Sequence, residues 1–232
     1  MKAFLLTAGL GTRLLPLTQT TPKCLIDIAG RPLIDWWFDA MEKAEVTEVL
    51  INLHHLPDQV RTHVNALNTP IKVHFYFEEN LLGSAGTLKK NYDFVKKEDC
   101  FFIIYADNLT SIRLSELYQF HQSQSHPFTM ALFESNQPAS CGIAALNENG
   151  TIIDFVEKPA APKSNLANAG IYIASPSVLE LIADNKIPAD IGFDLLPLLV
   201  NKMSGWKTDS YLIDIGTHAN LAKARAEWPL LS

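Results

Sequence analysis

Short, unbroken apolar runs alternate along the first half of the chain with stretches whose apolar residues recur at helical spacing. "KAFLL", residues 2–6, reads as a buried strand. In "RPLIDWWFDAMEKAEV", residues 31–46, Ile34, Trp37, Phe38, Met41 and Ala44 fall on one helical face, and Pro32 suits the first turn. Trp36 and Trp37 lie in this amphipathic stretch, which predicts packing rather than base stacking. "EVLINL" (48–53) predicts a second strand, residues 57–67 a second helix, and "IKVHFYF" (71–77) a third strand. Residues 83–95, "GSAGTLKKNYDFV", begin as a loop and continue as a helix, and "CFFIIYA" (100–106) is a fully buried fourth strand. Strand-helix alternation of this kind predicts an α/β layered domain with a mainly parallel central sheet.

The second half is richer in strands. "FTMALF" (128–133), "GIAALN" (142–147), "TIIDFVEK" (151–158) and "AGIYIA" (169–174) follow closely on one another, and "NENGT" (147–151) is a hairpin signal with Asn-Gly at its tip. Helices are expected over 176–183, 193–203 and 219–227, a further strand at "SYLIDIG" (210–216), and a loop at "KPAAPKSN" (158–165). With no internal repeat, low-complexity tract or linker, residues 1–232 read as a single domain.

Composition narrows the function classes. The chain has 232 residues, 47% of them hydrophobic, enough for a buried core. A net charge of −6 argues against a general nucleic-acid binder while leaving room for a local basic pocket. Cys24, Cys100 and Cys141 are scattered and odd in number, which predicts neither a disulfide framework nor a zinc knuckle and places the chain in a reducing cytoplasm. The longest apolar run, 100–106, is far short of the ~20 residues a spanning helix needs, and the N-terminal apolar stretch is too short for a secretory signal. A homo-oligomer is left open.

A glycine loop directly behind the first strand, "AGLGTRLLPLTQTTPKCL" (8–25), is the strongest chemical signal. Strand, glycine loop and helix is an arrangement that grips phosphate through converging N–H groups. It is not a Walker loop, because Lys23 does not follow a glycine, and not the GxGxxG fingerprint, because Gly9 and Gly11 are followed by Leu14. The whole run instead resembles the signature loop of the sugar-1-phosphate nucleotidylyltransferases, GxGTRLxPLT followed by PK. "LGSAGTL" (82–88), "YADN" (105–108), "FVEKP" (155–159), "NAGIY" (168–172) and "DIGT" (214–217) resemble that family's later motifs, in order, over nearly the whole chain. The closest likeness in motif is to mannose-1-phosphate guanylyltransferase-like members. Departures are Ala106 where many members have glycine, "DIGTHAN" without the common Pro-Glu, and Cys141 where an aromatic residue often precedes the glycine. The resemblance implies a Rossmann-like three-layer α/β/α fold with a mainly parallel mixed sheet. The C-terminal β-helix carried by many members is not expected here, nor is acyl transfer.

The implied reaction joins a sugar 1-phosphate to a nucleoside triphosphate with loss of pyrophosphate. Two anions must then meet, so alignment and charge neutralisation matter more than covalent help. The resemblance assigns Arg13, with its planar fork, to the pyrophosphate, and Lys23 to the α-phosphate. Asp107 and Asp214, each behind an apolar run, become ligands of Mg²⁺, the hard cation that two carboxylates and a triphosphate would share. Lys158 meets the sugar phosphate, Glu157 and Asn168 the sugar hydroxyls, and Gly142 either lets backbone approach the sugar or is a hairpin glycine. Leu6, Ala8, Gly9, Gly11, Thr12 and Gly83 belong to the nucleotide side. Asp154 and Asp209 lack motif context and read as structural. The adjacent His54 and His55 point different ways and read as strand-end structural residues.

Glu78 stands five residues before Gly83, where some relatives carry a base-contacting glutamine. A carboxylate there accepts two bonds, as guanine's N1–H and N2–H₂ offer. With "LGSAGTL" closer to the guanylyl version of that loop, GTP is the expected nucleotide, and mannose 1-phosphate or a heptose 1-phosphate the expected sugar. A uridylyltransferase and a catalytically silent nucleotide-sugar-binding regulator stay open.

Overall fold

The computed structural model describes residues 1–230. Its strands are β1 (Lys2–Leu6), β2 (Asp27–Ile28), β3 (Arg31–Pro32), β4 (Glu48–Leu53), β5 (Lys72–Phe77), β6 (Phe101–Tyr105), β7 (Asn108–Thr110), β8 (Phe128–Glu134), β9 (Gly142–Leu146), β10 (Ile152–Glu157), β11 (Leu166–Ala174), β12 (Ser204–Lys207) and β13 (Leu212–Asp214). Its helices are α1 (Leu33–Lys43), α2 (Pro57–Ala66), α3 (Ser84–Lys90), α4 (Tyr92–Val95), α5 (Leu114–Gln122) and α6 (His218–Glu227), joined by several 3₁₀ turns.

Nine strands form one sheet in the order β10-β9-β11-β6-β1-β4-β5, with β8 joined to β11 and β12 to β8. The block β6-β1-β4-β5 is parallel throughout, and across the sheet only β10 and β11 run against the rest. Such a sheet is buried on both faces, which is why β1 and β6 are apolar almost throughout and β4 is apolar but for Glu48 at its start and Asn52 near its end. On one face Ala3, Leu5, Phe102 and Ile104 pack with Trp37, Phe38 and Met41 of α1, Val60 and Val64 of α2, and Leu114 and Leu117 of α5. On the other, Phe4, Leu6, Phe101 and Ile103 pack with Ala85 and Leu88 of α3 and Val95 of α4. The result is the expected three-layer α/β/α architecture with a mixed, mainly parallel sheet. Each large side chain so buried contributes about 1.5–3 kcal/mol, so Trp37, Phe38 and Met41 make α1 a principal fastening of its layer. A third cluster, with Leu14, Ile26, Ile28, Leu109, Ile215, Leu221 and Trp228, seats the glycine loop, β2, β13 and α6 against one another.

Several expected elements change. The helix expected over 176–183 is a 3₁₀ turn at Pro176–Leu181, and the one over 193–203 is a wide turn, Ile191–Leu195, followed by a 3₁₀ turn, Leu196–Leu199. Pro197 inside that segment lacks the N–H an α-helix would need. α1 starts at Leu33, with Pro32 just ahead of it, and stops before Glu45, which adopts a left-handed φ of 57°. Elements β7, α5 and β12 fall where no element was expected; α5 buries Leu114, Leu117 and His121. The strand expected at 210–216 forms as β13 outside the main sheet, pairing only with β7. β9 and β10 are antiparallel across the expected Asn-Gly turn, closed by N–H groups of Asn149 and Thr151 on the Asn147 side chain. No helix among the described residues is long and apolar enough to cross a membrane.

Candidate active site

The sheet order reverses at β1: the chain first adds β4 and β5 on one side and then crosses to add β6 on the other. Loops leaving the carboxyl ends of β1 and β6 therefore diverge and open a crevice, where ligands of open α/β sheets bind. Leu6 lies in register with Asn52 and with Tyr105, so the segments behind all three strands emerge at one edge. The glycine loop leaves β1 there. Among the described residues none of the backbone N–H groups of Ala8 to Gly11 has a partner within the chain, so the loop presents unpaired donors as an anion cradle does.

Two cavities meet at this edge. The smaller, about 270 Å³, is lined by Leu6, Ala8, Gly9, Lys23, Glu78 and Gly83 of the expected residues. The larger cleft, about 970 Å³, is lined by Arg13, Gly142, Glu157, Lys158, Asn168 and Asp214. Asp107 lines both, together with Tyr105 and Asp190. Gly11 and Thr12 line neither; Gly11 turns the loop with a left-handed φ of 64°, and its carbonyl accepts the Thr18 hydroxyl.

At the junction the Lys23 ammonium donates to Asp107 Oδ2 at 2.7 Å and to Asp214 Oδ1 at 3.1 Å. Arg13 reaches Asp214 Oδ2 at 3.4 Å from an exposed position. The Lys23 side chain is 9% exposed, the two carboxylates 36% and 41%. Burial alone would lower the Lys23 pKa, but Asp107 and Asp214 together outweigh it and hold the pKa above the ordinary lysine value. The convergence comes from backbone pairing. β7 starts right behind Asp107, Asp214 of β13 pairs with Asn108, and the Ile215 N–H donates to the Asp107 carbonyl. Gly216 completes the cluster. A Cβ there would stand 2.6 Å from Lys23 Nζ, 2.7 Å from Arg13 Nη2 and 2.8 Å from Asp214 Oδ1, so only glycine fits without displacing them.

In the cleft, Glu157 is tucked between Gly142 and Gly192. A Cβ on Gly142 would lie 2.5 Å from Glu157 Oε2 and 2.6 Å from the Phe155 ring, so Gly142 makes room for that carboxylate. Burial raises the Glu157 pKa and Asp190 adds to the rise, while Lys158 opposes it. Lys158 holds a left-handed φ of 48°, a conformation that costs a non-glycine residue about 1–2 kcal/mol, and its half-exposed ammonium stays 3.8 Å from Glu157. Asn168 is engaged at both ends, donating to the Tyr172 hydroxyl at 2.7 Å and accepting the Gly170 N–H at 2.9 Å.

At the smaller cavity, where a nucleotide was expected, the geometry of Glu78 departs from expectation. Glu78 faces the smaller cavity but is 2% exposed, and both its oxygens are engaged: Oε1 by Asn52 and Thr87, Oε2 by the Leu82 N–H. It offers no free pair of oxygens for a two-bond reading of a base. The second glycine loop is likewise docked, since the N–H groups of Ala85 and Gly86 at the start of α3 are taken by the Ala189 carbonyl. The His54 and His55 rings meet main-chain carbonyls of Glu78 and Thr18.

Sequence reasoning missed Asn52, Ser84, Thr87, Tyr105 and Asp190. The Ser84 hydroxyl donates to Asp190 Oδ2 and accepts the Ile191 N–H, clamping α3 to the 187–195 segment where the cavities join. Asp190 caps the turn behind it through the N–H groups of Gly192 and Phe193. An Asp-x-Gly ahead of an apolar run is a capping signal; Asn52 inside "VLINL" was visible only as a polar residue in a buried strand.

A metal-site fit follows from the donors. Asp107 and Asp214 already point at one cation, the Lys23 ammonium. Among the described residues no cluster of three or more His, Cys, Asp or Glu forms a closed cage. Two carboxylates with the remaining positions left to phosphate and water is how Mg²⁺ is commonly held.

The nucleotidyl transferase family model matches residues 2–229. Mannose-1-phosphate guanyltransferase of Candida albicans is 32% identical over 223 residues, covering 93% of this chain and 61% of that protein. The enzyme of the same name from Kluyveromyces lactis is 33% identical with the same coverage. The chain thus spans about three fifths of the length of the curated relatives it matches. Among solved structures, a Bacillus anthracis protein assigned as a glucose-1-phosphate thymidylyltransferase, in complex with sucrose, superposes with a TM-score of 0.88 at 26% identity, covering 97% of this chain and 94% of that one. HddC of Yersinia pseudotuberculosis complexed with GMP-PN shares the fold, with a TM-score of 0.81 at 24% identity over 98% of this chain and 99% of that one. With glycine loop, paired aspartates and family model in agreement over almost its full length, this chain belongs to the nucleotidyl transferase family.

Proposed function

We propose that the protein transfers a nucleoside monophosphate from a triphosphate, GTP by preference, to a sugar 1-phosphate, mannose 1-phosphate first and a heptose 1-phosphate next, releasing pyrophosphate. The observation that carries this reading is the Lys23 ammonium held between Asp107 and Asp214 where the two cavities meet. One cavity suits a nucleoside, the other a phosphorylated sugar, and the α-phosphate belongs between them. Support for guanine and mannose comes from the names of the fungal relatives. A two-bond reading of the base by Glu78 does not add to it, because its oxygens already hold Asn52, Thr87 and Leu82.

In this reading the N–H groups of Ala8 to Gly11 and the Arg13 fork hold the triphosphate tail. Lys158, reaching from the far wall of the cleft, holds the sugar phosphate. One of that phosphate's oxygens attacks the α-phosphorus; the new P–O bond forms as the bond to the β-phosphate oxygen breaks, and pyrophosphate takes the electron pair. Lys23 neutralises charge that builds on the α-phosphate oxygens, where a preorganised donor is worth ~10²–10³ in rate. Asp107 and Asp214 would hold Mg²⁺, which when bound supplies charge neutralisation and alignment of the phosphates. No protein nucleophile is needed. Cys24 lines the nucleotide cavity, but burial pushes its thiol up to about 12 and keeps it protonated. The three free cysteines suit a cytoplasmic setting.

The test is a panel of four nucleoside triphosphates against common sugar 1-phosphates with Mg²⁺, read as pyrophosphate release. GTP with mannose or heptose 1-phosphate is expected to turn over fastest. No release across the panel would overturn the reading in favour of a silent nucleotide-sugar binder, and fastest turnover with UTP would overturn the guanylyl assignment.

A further inference from the structure

The strongest unassigned feature is the Asn52 side chain. It sits near the carboxyl end of β4, in a strand otherwise apolar, and is 4% exposed. A buried amide in such a place is costly unless fully paired. Asn52 is fully paired, and every partner belongs to the wall of the smaller cavity. Its Oδ1 accepts the Thr7 N–H at 2.7 Å, and its Nδ2 donates to Glu78 Oε1 at 2.8 Å and to Thr87 Oγ1 at 3.2 Å. The Thr7 hydroxyl also donates to the Asn52 main-chain carbonyl. One amide thus ties together the glycine loop, the residue behind β5 and helix α3.

The orientation of the amide is not free. The Thr7 N–H requires an acceptor and the Glu78 carboxylate a donor, so a flipped amide would face donor with donor and acceptor with acceptor. Glu78 receives three donors, from Asn52, Thr87 and Leu82. A carboxylate has about four lone-pair sites, so one on Oε2 has no partner among the described residues, and Glu78 lines the smaller cavity. We propose that Asn52 is the positioning residue for nucleotide choice: it fixes the Leu6–Gly9 backbone and orients Glu78 so that one acceptor, and no donor, faces the base. This rests on the reading of that cavity as the nucleoside site. It favours a base offering an N–H or NH₂ edge, such as guanine, over uracil, whose single N–H is flanked by two carbonyl acceptors.

The experiment is a polarity swap. In Asn52→Asp two buried carboxylates face each other, and in Glu78→Gln two amides compete as donors. In the double variant Asn52→Asp/Glu78→Gln, the amide introduced at position 78 donates to the carboxylate introduced at position 52, while its carbonyl still accepts from Leu82 and faces the cavity. Binding of GTP and UTP with Mg²⁺ is measured by calorimetry, beside KM, kcat and the thermal midpoint. Each single variant is expected to weaken GTP binding and lower the GTP-over-UTP ratio of kcat/KM at least tenfold, mainly through KM. The double variant is expected to recover most of both and of the thermal midpoint. Single variants that lose thermal stability but keep the wild-type ratio, or a double variant no better than the singles combined, would overturn the proposal. A wild-type protein that binds no nucleotide would overturn the nucleoside reading and this proposal with it; a wild type that binds and discriminates beside indifferent variants would overturn this proposal alone.

Discussion

Replacing Lys23 by methionine keeps the stem and removes the charge between Asp107 and Asp214. Both carboxylate oxygens lie about 3 Å from the same nitrogen, at 2.7 and 3.1 Å, so they are within about 6 Å of each other. With the ammonium gone they repel by about 1–3 kcal/mol over the plausible range of effective dielectric, and their exposure of more than a third puts the value toward the lower end. Adding the lost ion pairs, a total near 2 kcal/mol is expected, which for a chain of this length lowers the melting temperature by about 4–8 °C. The raised Lys23 pKa gives the pH window. The contribution is fully present below the ordinary lysine value and is lost only as pH rises through the higher native one, so the deficit stays constant across neutral pH. The informative arm is Mg²⁺ alone. In the wild type a metal must displace Lys23; in Lys23→Met it meets two unpaired carboxylates. Scanning calorimetry at low salt, with and without Mg²⁺, should therefore show a larger metal-induced rise in the variant. Equal rises, or an unchanged melting temperature without metal, would refute the convergence of these three side chains on one point.

Other outcomes follow from the same geometry. Asp107→Asn and Asp214→Asn should each lower kcat at least ~10²-fold with the fold retained by circular dichroism, and a near-normal rate in either would remove that residue from the reaction. Gly216→Ala places a methyl within 2.8 Å of Lys23, Arg13 and Asp214, all ends of flexible side chains, so stability should barely change while kcat falls by about 10–100-fold; unchanged kcat would mean the cluster tolerates displacement. Glu157 has a raised pKa, so its bound proton stabilises the native state below the ordinary carboxylate value, and that benefit is lost as pH rises through the raised one. Glu157→Gln should flatten this slope in denaturant titrations from pH 4 to 7 and raise KM for the sugar phosphate; a parallel pH profile would place the carboxylate in ordinary solvent.

Sequence pattern determined the layers. Apolar runs within 2–6, 48–53 and 100–106, the second broken only by Glu48 and Asn52, fit strands covered on both faces, and the helical stripe from Ile34 to Met41 fits their cover. The motifs at 8–25, 105–108 and 214–217 named the cations and carboxylates of the candidate site, because the proposed reaction between two anions would need those charge types wherever they come from. Pattern failed where local signals conflict with tertiary demands. Helical periodicity at 193–203 could not reveal that Pro197 and the Asp190 cap would convert the helix into wide and tight turns. The short β7 and β12 strands exist through their partners, β13 and β8. Nor could sequence show that Asp214, 107 residues beyond Asp107, would be carried to it by a two-strand ribbon lying outside the main sheet. The hydrogen-bond engagement of Glu78 was decided the same way. Its charge is legible in the sequence, but the number of its lone pairs left for a ligand depends on Asn52, Thr87 and Leu82, which only packing brings within hydrogen-bond reach.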